Sequence, residues 1–191
     1  MSDKREKILR AVLELFMEGG TAGLKVSAIA KRADVGKGTV YEYFRSKDDM
    51  FIGAVEFGLG LMTDMVRDKV ELESTFRESF DSMVDCILEI VSRGPFLSMV
   101  SNPGSMPFTV DTVKRLKSVM ENARESFLDL LGLILAKGVS EGVIKEPESE
   151  NHVHALLIIL TNMTMQKVRS GYTDSDGLKK FYYETCVKIL N

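Results

Sequence analysis

The chain of 191 residues has no tryptophan, only four prolines and two cysteines, and no long uninterrupted apolar stretch. Two cysteines in a chain of this length exclude a framework of disulfide bonds. The longest apolar run, Ala155–Leu160, is far shorter than the roughly 20 residues that a membrane-spanning helix needs. The N-terminus is charged and then amphipathic, without the cleavage site of a secretory signal. We therefore expect a cytoplasmic protein that has no membrane partner.

The two cysteines, Cys86 and Cys186, each lie among apolar neighbours at helical spacing. Free cysteine is among the most buried residue types, which favours a packing role for both. A redox-sensing thiol is the alternative, and the sequence leaves that alternative open.

Charge is distributed unevenly along the chain. The net charge is −3 at pH 7, but residues 1–50 carry a net +2 and residues 51–191 a net −5. Between Lys25 and Lys47 the excess is larger, with six basic residues against Asp34 and Glu42. A short basic segment on an acidic body is typical of a small anion-binding module joined to an unrelated larger domain.

The spacing of apolar residues predicts helices almost throughout, with no alternation of period two and no internal repeat. Ser27 and Ser46 are placed as N-caps, while Gly19-Gly20, Gly142 and Gly171 mark predicted helix ends. The predicted helices cover residues 4–18, 27–33, 37–44, 46–70, 75–92, 109–141, 149–170 and 175–190. The sequence therefore predicts an all-α fold.

The stretch Gly36-Lys37-Gly38-Thr39 invites comparison with a nucleotide-binding loop. Such a loop needs a glycine, four further residues and then Gly-Lys-Ser/Thr, all following a strand. Here Gly38 rather than serine or threonine follows Lys37, Lys31 stands five residues before Gly36, and the preceding segment is helical. These mismatches argue against a nucleotide site.

The same stretch fits a helix-turn-helix. Two short helices separated by the break Asp34–Gly36 have the required length, and the second can enter the major groove of DNA. The inward-facing positions are Ile29, Ala30, Val35, Val40 and Phe44. The outward-facing positions are Lys37, Thr39, Tyr41, Glu42, Tyr43 and Lys47. Tyr41 and Tyr43 lie roughly 200° apart around a helix, so they cannot both point inward, and we expect Tyr41 to point outward.

The stretch from Ser27 to Phe51, SAIAKRADVGKGTVYEYFRSKDDMF, resembles the DNA-binding domain of the TetR (tetracycline-repressor) family of bacterial regulators. The positions that match in order and spacing are Ser27, Ile29-Ala30, Ala33, Val35, Gly38, Tyr41, Tyr43-Phe44 and Ser46-Lys47-Asp48. The resemblance covers residues 3–55, and beyond them only the length and the all-helical pattern agree.

The resemblance implies an N-terminal three-helix helix-turn-helix DNA-binding domain, residues 1–47, joined to a larger helical domain for ligand binding and dimerisation, residues 48–191. It implies a homodimeric repressor that binds a palindromic operator in double-stranded DNA and is released by a small-molecule effector. Carried over by position, the DNA-binding residues are Ser27, Lys37, Gly38, Thr39, Tyr41, Tyr43 and Lys47. Of these, Lys37, Gly38 and Thr39 open the recognition helix, and the others bind the DNA backbone.

Three positions bear on how closely the chain follows the family pattern. Asp34 replaces the usual glycine of the turn, and aspartate tolerates left-handed geometry better than most residues. Gly36 stands where a serine is common, so a hydroxyl that could bind phosphate is lost. Glu42 lies on the recognition helix, where it either accepts a hydrogen bond from a cytosine amine or belongs to a solvated or internally paired face.

The C-terminal part is rich in methionine and phenylalanine, which could line a cavity for an apolar or aromatic ligand. The candidate lining residues are Met62, Met65, Phe80, Met83, Phe96, Met99, Phe127 and Met163. For any one of them ordinary core packing is the alternative. The apolar surplus on 149–170, together with the helix 175–190, predicts a surface for self-association.

Nothing in the sequence points to a metal, a cofactor or catalysis. His152 and His154 are two residues apart, so they do not share a helix face, and no further ligands support a metal site. No nucleophile with an adjacent base is recognisable, and we expect no enzyme activity. The competing hypothesis is a small-molecule-binding or enzymatic helical protein whose N-terminus is only structural. Activation in place of repression also stays open.

Overall fold

The computed structural model describes residues 3–72, 75–92, 108–147, 149–172 and 174–191. Within these ranges the chain forms eight α-helices, one short 3-10 turn at Gly20–Gly23 and no strand. The helices are α1 (Lys4–Gly19), α2 (Val26–Arg32), α3 (Lys37–Tyr43), α4 (Lys47–Leu72), α5 (Phe76–Ser92), α6 (Val110–Ser140), α7 (Glu150–Arg169) and α8 (Ser175–Ile189). The predicted all-α fold is confirmed, and every helix begins and ends within two residues of its predicted bounds.

The chain packs as two compact units. The N-terminal unit contains the described residues up to Leu61 and those of 108–123, and the C-terminal unit contains the described residues of 62–92 and 124–191. Helices α4 and α6 each contribute residues to both units. The predicted division into a DNA-binding domain, residues 1–47, and a ligand-binding and dimerisation domain, residues 48–191, stays a prediction.

The core of the N-terminal unit is built on one face of α1. Its buried residues recur at steps of three and four, as an amphipathic helix requires: Ile8, Leu9, Ala11, Val12 and Phe16. Ile29 and Ala30 of α2 and Val40 of α3 are buried in the same unit, and α1, α2 and α3 contact one another in pairs. This packing fixes the orientation of α3 and so decides which of its residues face outward.

The core of the C-terminal unit centres on α5 and the second half of α6. Leu130, Leu131 and Ile134 of α6 are completely buried. Helix α5 contacts α7 and α8, and its Phe76 and Phe80 rings lie 5.3 and 5.9 Å from the Tyr183 ring of α8. Aromatic pairs at these distances add to the stability that burial gives.

Glycines in the left-handed region end two of the long helices. Gly142 follows α6 with φ of 71°, and Gly171 follows α7 with φ of 76°. Glycine adopts this conformation without the steric cost that other residues meet, so both predicted helix ends are confirmed. Among the helices of the described ranges, none combines the length and the apolar character needed to cross a membrane.

Candidate DNA-binding surface

The turn between α2 and α3 is fixed by two backbone hydrogen bonds. The Val35 N–H donates to the Ala30 carbonyl at 3.0 Å, and the Asp34 N–H donates to the Lys31 carbonyl at 3.3 Å. This pair of bonds forms a Schellman motif, which needs a left-handed residue directly after the helix. Asp34 meets that need with φ of 54° and is the single non-glycine residue of positive φ in the described ranges. The turn therefore forms with aspartate, as the sequence predicts.

We expect Asp34→Asn to raise DNA affinity about threefold at low salt, because it removes a charge that repels phosphate near α3. Asparagine also tolerates positive φ, so the free energy of unfolding should change by less than about 0.5 kcal/mol. Asp34→Ala removes the same charge but strains the backbone, at a cost of about 1 kcal/mol. DNA titration and urea unfolding of both variants separate charge from strain. Equal affinity of Asp34→Asn and the natural protein would contradict the charge effect.

The predicted N-cap role of Ser27 is wrong. Helix α2 begins at Val26, and its N-cap is Lys25, whose carbonyl accepts hydrogen bonds from the Ala28 and Ile29 N–H groups. The helix thus starts two residues earlier than a serine cap would place it, and the cap makes no side-chain hydrogen bond. Ser27 lies exposed in the first turn. That position leaves its hydroxyl accessible, and its predicted phosphate contact stays a prediction.

Helix α3 separates a buried face from an exposed one. Val40 is fully buried and Phe44, just after the helix, is 3 % exposed. Tyr41 is 58 % exposed and Tyr43 40 %, so both rings reach solvent although they lie on different sides. Lys37 and Gly38 are also exposed, and Thr39 is half-buried. The predicted DNA-binding residues of α3 therefore lie on the surface, with hydroxyl, ammonium and aromatic groups available to a ligand.

The two glycines of this stretch are not needed for the fold. Gly36 has φ of −70°, which any residue adopts, and a Cβ there would meet only the Thr39 hydroxyl, at 3.9 Å. A Cβ at Gly38 would meet no atom within 4 Å. Packing within the chain thus gives no reason for glycine at position 38. A close approach of the backbone to an outside molecule is a recognised reason for glycine at such a place.

The predicted serine cap of α4 is confirmed. The Ser46 hydroxyl accepts a hydrogen bond from the Asp49 N–H at 3.0 Å, and the helix begins at Lys47. Asp48 and Asp49 lie in the first turn, where negative charge suits the positive end of the helix dipole. Lys47 itself is exposed. Its ammonium is therefore accessible from solvent, and its predicted contact with the DNA backbone stays a prediction.

Arg32, one of the six basic residues between Lys25 and Lys47, forms ion pairs within the N-terminal unit. The Arg32 guanidinium donates to both carboxylate oxygens of Glu18, at 2.9 and 3.0 Å, and to Glu14 at 3.0 Å. The hydrogen bonds to Glu18 and then Glu14 raise the pKa of Arg32, and the bond from Arg32 lowers the pKa of Glu18. Arg32 thus links α2 to α1, a role that no local sequence pattern revealed.

The other five basic residues between Lys25 and Lys47 can interact with an external anion. Each is exposed and forms no ion pair with any residue in the described ranges: Lys25, Lys31, Lys37, Arg45 and Lys47. Glu42 is also exposed and has no ion-pair partner in that part of the chain, so the internally paired alternative for Glu42 loses support. Exposed cations around a polar helix face favour binding to a polyanion.

Known proteins share the helix-turn-helix sequence of this chain. Residues 8–54 match the family model described as bacterial regulatory proteins, tetR family. This segment is a DNA-binding domain of the TetR family. The HTH-type transcriptional repressor KstR of Rhodococcus jostii is 42% identical over 53 residues, which are 28% of this chain and 25% of that repressor. The chain is therefore a DNA-binding transcriptional regulator with a helix-turn-helix, and its relatives are regulators rather than enzymes.

Similarity to other TetR-family proteins extends beyond the helix-turn-helix. The fatty acid metabolism regulator protein of Bacillus subtilis is 26% identical over 149 residues, which cover 76% of this chain and 75% of that protein. The crystal structure of Bacillus subtilis FadR in complex with stearoyl-CoA matches with a TM-score of 0.66. That match covers 97% of this chain and 98% of the other at 21% identity, so it shows the fold.

The predicted ligand-lining residues fall into two groups. Phe96 and Met99 lie outside the described residues, whereas the six others all belong to the C-terminal unit. Phe80 and Met83 are buried in its core, and Met65 is 41 % exposed. A cavity of about 370 Å³ in the same unit is lined by other residues, among them Leu88 and Tyr172. The predicted set stays a prediction, because core packing already explains Phe80 and Met83.

The structure favours the packing interpretation of both cysteines. Cys86 and Cys186 are 4 % and 1 % exposed. Burial raises the pKa of Cys86 to about 11 and that of Cys186 to about 12. Both thiols therefore stay protonated near neutral pH and are poor nucleophiles.

In the described ranges no group of three or more His, Cys, Asp and Glu side chains could hold a metal ion, and both histidines are half-buried.

Proposed function

We propose that this TetR-family protein is a cytoplasmic, homodimeric repressor that binds a palindromic operator through α3 and the first turn of α4. The observation that carries the proposal is the solvent-accessible surface of α3, where Lys37, Gly38, Tyr41 and Tyr43 are exposed and Thr39 is half-buried, followed in the chain by the exposed Lys47. Ammonium and hydroxyl groups bind phosphate oxygens, and a short helix of this kind reads base edges in the major groove. The five exposed cations of the basic segment, Lys25, Lys31, Lys37, Arg45 and Lys47, supply the attraction to DNA.

Dimer formation is supported by apolar side chains left exposed on the last two helices. Ile158 of α7 is 51 % exposed, and Phe181 and Ile189 of α8 are 46 % and 44 % exposed. Exposed apolar side chains on neighbouring helices favour burial against a second surface. A symmetric dimer also places two recognition helices about 34 Å apart, or a multiple of that distance, which a palindromic operator matches.

The effector we propose is a long-chain acyl thioester of coenzyme A. Support comes from the two relatives above: one is a fatty acid metabolism regulator, and the other was solved with stearoyl-CoA. The C-terminal unit contains Met62, Met65, Phe80, Met83, Phe127 and Met163, and methionine-rich surroundings adapt to flexible apolar chains. An acyl chain suits such a composition better than a compact polar metabolite does.

Selection from fragmented genomic DNA of the source organism tests both parts of the proposal. Purified protein should enrich few fragments, each with an inverted repeat, and stearoyl-CoA should release them whereas coenzyme A alone should not. If no fragment is enriched, the DNA-binding proposal fails. If fragments are enriched but neither stearoyl-CoA nor shorter acyl thioesters release them, only the effector proposal fails.

Lys47→Ala should weaken binding to every DNA sequence alike, because an ammonium on a phosphate carries no sequence information. The slope of log affinity against log salt should become shallower by about 0.9, the value for one lost phosphate contact. Thr39→Ala should instead change the preferred operator sequence. Lys69→Ala, an equivalent charge removal at an exposed position near the other end of α4, is the control and should bind like the natural protein. An unchanged salt slope for Lys47→Ala contradicts its phosphate contact.

A further inference from the structure

The start of α6 is bound to the first turn of α4 within the N-terminal unit. The Thr112 hydroxyl donates to Asp48 Oδ2 at 2.6 Å, and Arg115 Nη2 donates to Asp49 Oδ1 at 3.0 Å. Thr112 is only 3 % exposed, so its bond is largely shielded from water. These two contacts join residues more than 60 positions apart in the sequence.

An aromatic contact supports the same junction. The Phe108 ring, just before α6, stacks on the Phe51 ring of α4 with centroids 4.8 Å apart. The Phe51 ring in turn meets the Phe16 ring of α1 edge to face at 4.9 Å. The start of α6 is therefore packed against the core that orients the helix-turn-helix.

The bound turn lies directly beside the candidate DNA contacts. Asp48 and Asp49 follow Lys47 in the chain, and Asp49 Oδ2 also accepts a hydrogen bond from the Arg45 N–H at 3.3 Å. Asp49 is thus held on one side by the segment that follows α3 and on the other by Arg115 of α6. A shift at the start of α6 would move this carboxylate and the backbone that carries Lys47.

The contacts between α6 and the first turn of α4 involve two carboxylates, Asp48 and Asp49, whose charge affects DNA binding. Two carboxylates next to a phosphate-binding lysine repel the DNA backbone unless they are neutralised or turned away. The hydrogen bond from Arg115 lowers the pKa of Asp49, because the guanidinium stabilises the ionised carboxylate. Arg115 is therefore placed to offset the charge of Asp49 and to fix its direction.

We propose that Thr112 and Arg115, which lie outside the helix-turn-helix, are positioning residues for DNA binding. They hold Asp48 and Asp49 so that Lys47 can reach phosphate without opposition from free carboxylates. This inference rests on the proposed DNA-binding function.

Arg115→Gln, measured on an enriched operator fragment, tests the proposal. DNA affinity should fall about fivefold, the factor that corresponds to the upper range for an exposed ion pair. The salt slope should stay unchanged, because Arg115 acts through Asp49 and does not itself bind phosphate. Lys114→Gln is the matched control: it removes the same charge from the preceding residue of α6, which is exposed, and it should lower affinity less than about twofold.

A second substitution provides a suppressor test. Asp49→Asn added to Arg115→Gln removes the carboxylate that has lost its partner, and asparagine can still accept from the Arg45 N–H. The double variant should recover most of the lost affinity, and Arg115→Lys alone should retain it.

Equal losses for Arg115→Gln and Lys114→Gln, or no recovery in the double variant, would overturn the positioning role. A shallower salt slope for Arg115→Gln would also overturn it, because Arg115 would then bind phosphate directly. If the natural protein enriches no DNA at all, the proposed function itself fails. If it enriches DNA and Arg115→Gln binds as well as the natural protein, only this inference fails.

Discussion

Gly38→Ala should give a protein that is more stable than the natural one and that binds its operator at least about tenfold more weakly. Alanine stabilises a helix relative to glycine by about 0.5–1 kcal/mol, and a Cβ at this position meets no atom within 4 Å. The free protein therefore gains from the change. The loss of DNA affinity arises because the added methyl group separates the start of α3 from the DNA backbone, and tenfold corresponds to about 1.4 kcal/mol.

Gly60→Ala is the matched control for this result. Gly60 lies on α4 in the N-terminal unit, is exposed, and also has open space where a Cβ would stand. This variant should gain stability to a similar extent and bind DNA like the natural protein. Urea unfolding and fluorescence titration with labelled operator measure the two quantities. Natural affinity in Gly38→Ala would show that DNA does not approach the backbone at this residue.

Phe51→Ala should destabilise the N-terminal unit by about 3–5 kcal/mol, which is the usual cost of truncating a buried phenylalanine. Phe51 is 1 % exposed and lies between the Phe16 and Phe108 rings, so its removal leaves a cavity and breaks two aromatic contacts. A loss of this size is a large fraction of the 5–15 kcal/mol that is typical of a folded domain. DNA binding should fail at temperatures where the natural protein still binds.

Phe57→Ala provides the comparison, because it is the same truncation six residues further along α4. Phe57 is only half-buried, and its ring contacts the Arg10 guanidinium at 5.3 Å. It should cost about 1 kcal/mol, within the ordinary range for a partly exposed residue. Urea unfolding of both variants, followed by circular dichroism, gives the difference. Similar losses for the two would contradict the central place of Phe51 in this core.

The helix-turn-helix was predictable because its determinants are local in sequence. The spacing of Ile29, Val40 and Phe44 gave the buried faces, and the turn chemistry of Asp34 gave the break. The cap at Ser27 was mispredicted for a local reason as well. Capping preferences say that a serine hydroxyl can accept from the first turn, but they do not exclude an N-cap two residues earlier, at Lys25, whose backbone carbonyl accepts the first hydrogen bonds of the helix.

Contacts between distant segments could not be predicted in the same way. The bonds from Arg32 to Glu18 and from Arg115 to Asp49 join exposed charged residues, and exposed charges have no periodicity that identifies their partners. The lining of a ligand cavity could not be predicted for a different reason. Methionine and phenylalanine fill cores and line pockets alike, so Phe80 satisfied the sequence criterion although its ring packs against Tyr183.

The affinity of the purified protein for an enriched genomic fragment, compared with a shuffled fragment of equal composition at physiological salt, tests the central claim most directly. A regulator that reads bases through α3 should prefer the natural fragment by at least about a thousandfold. Equal affinity for the two fragments would contradict sequence-specific recognition by the Lys37–Tyr43 helix.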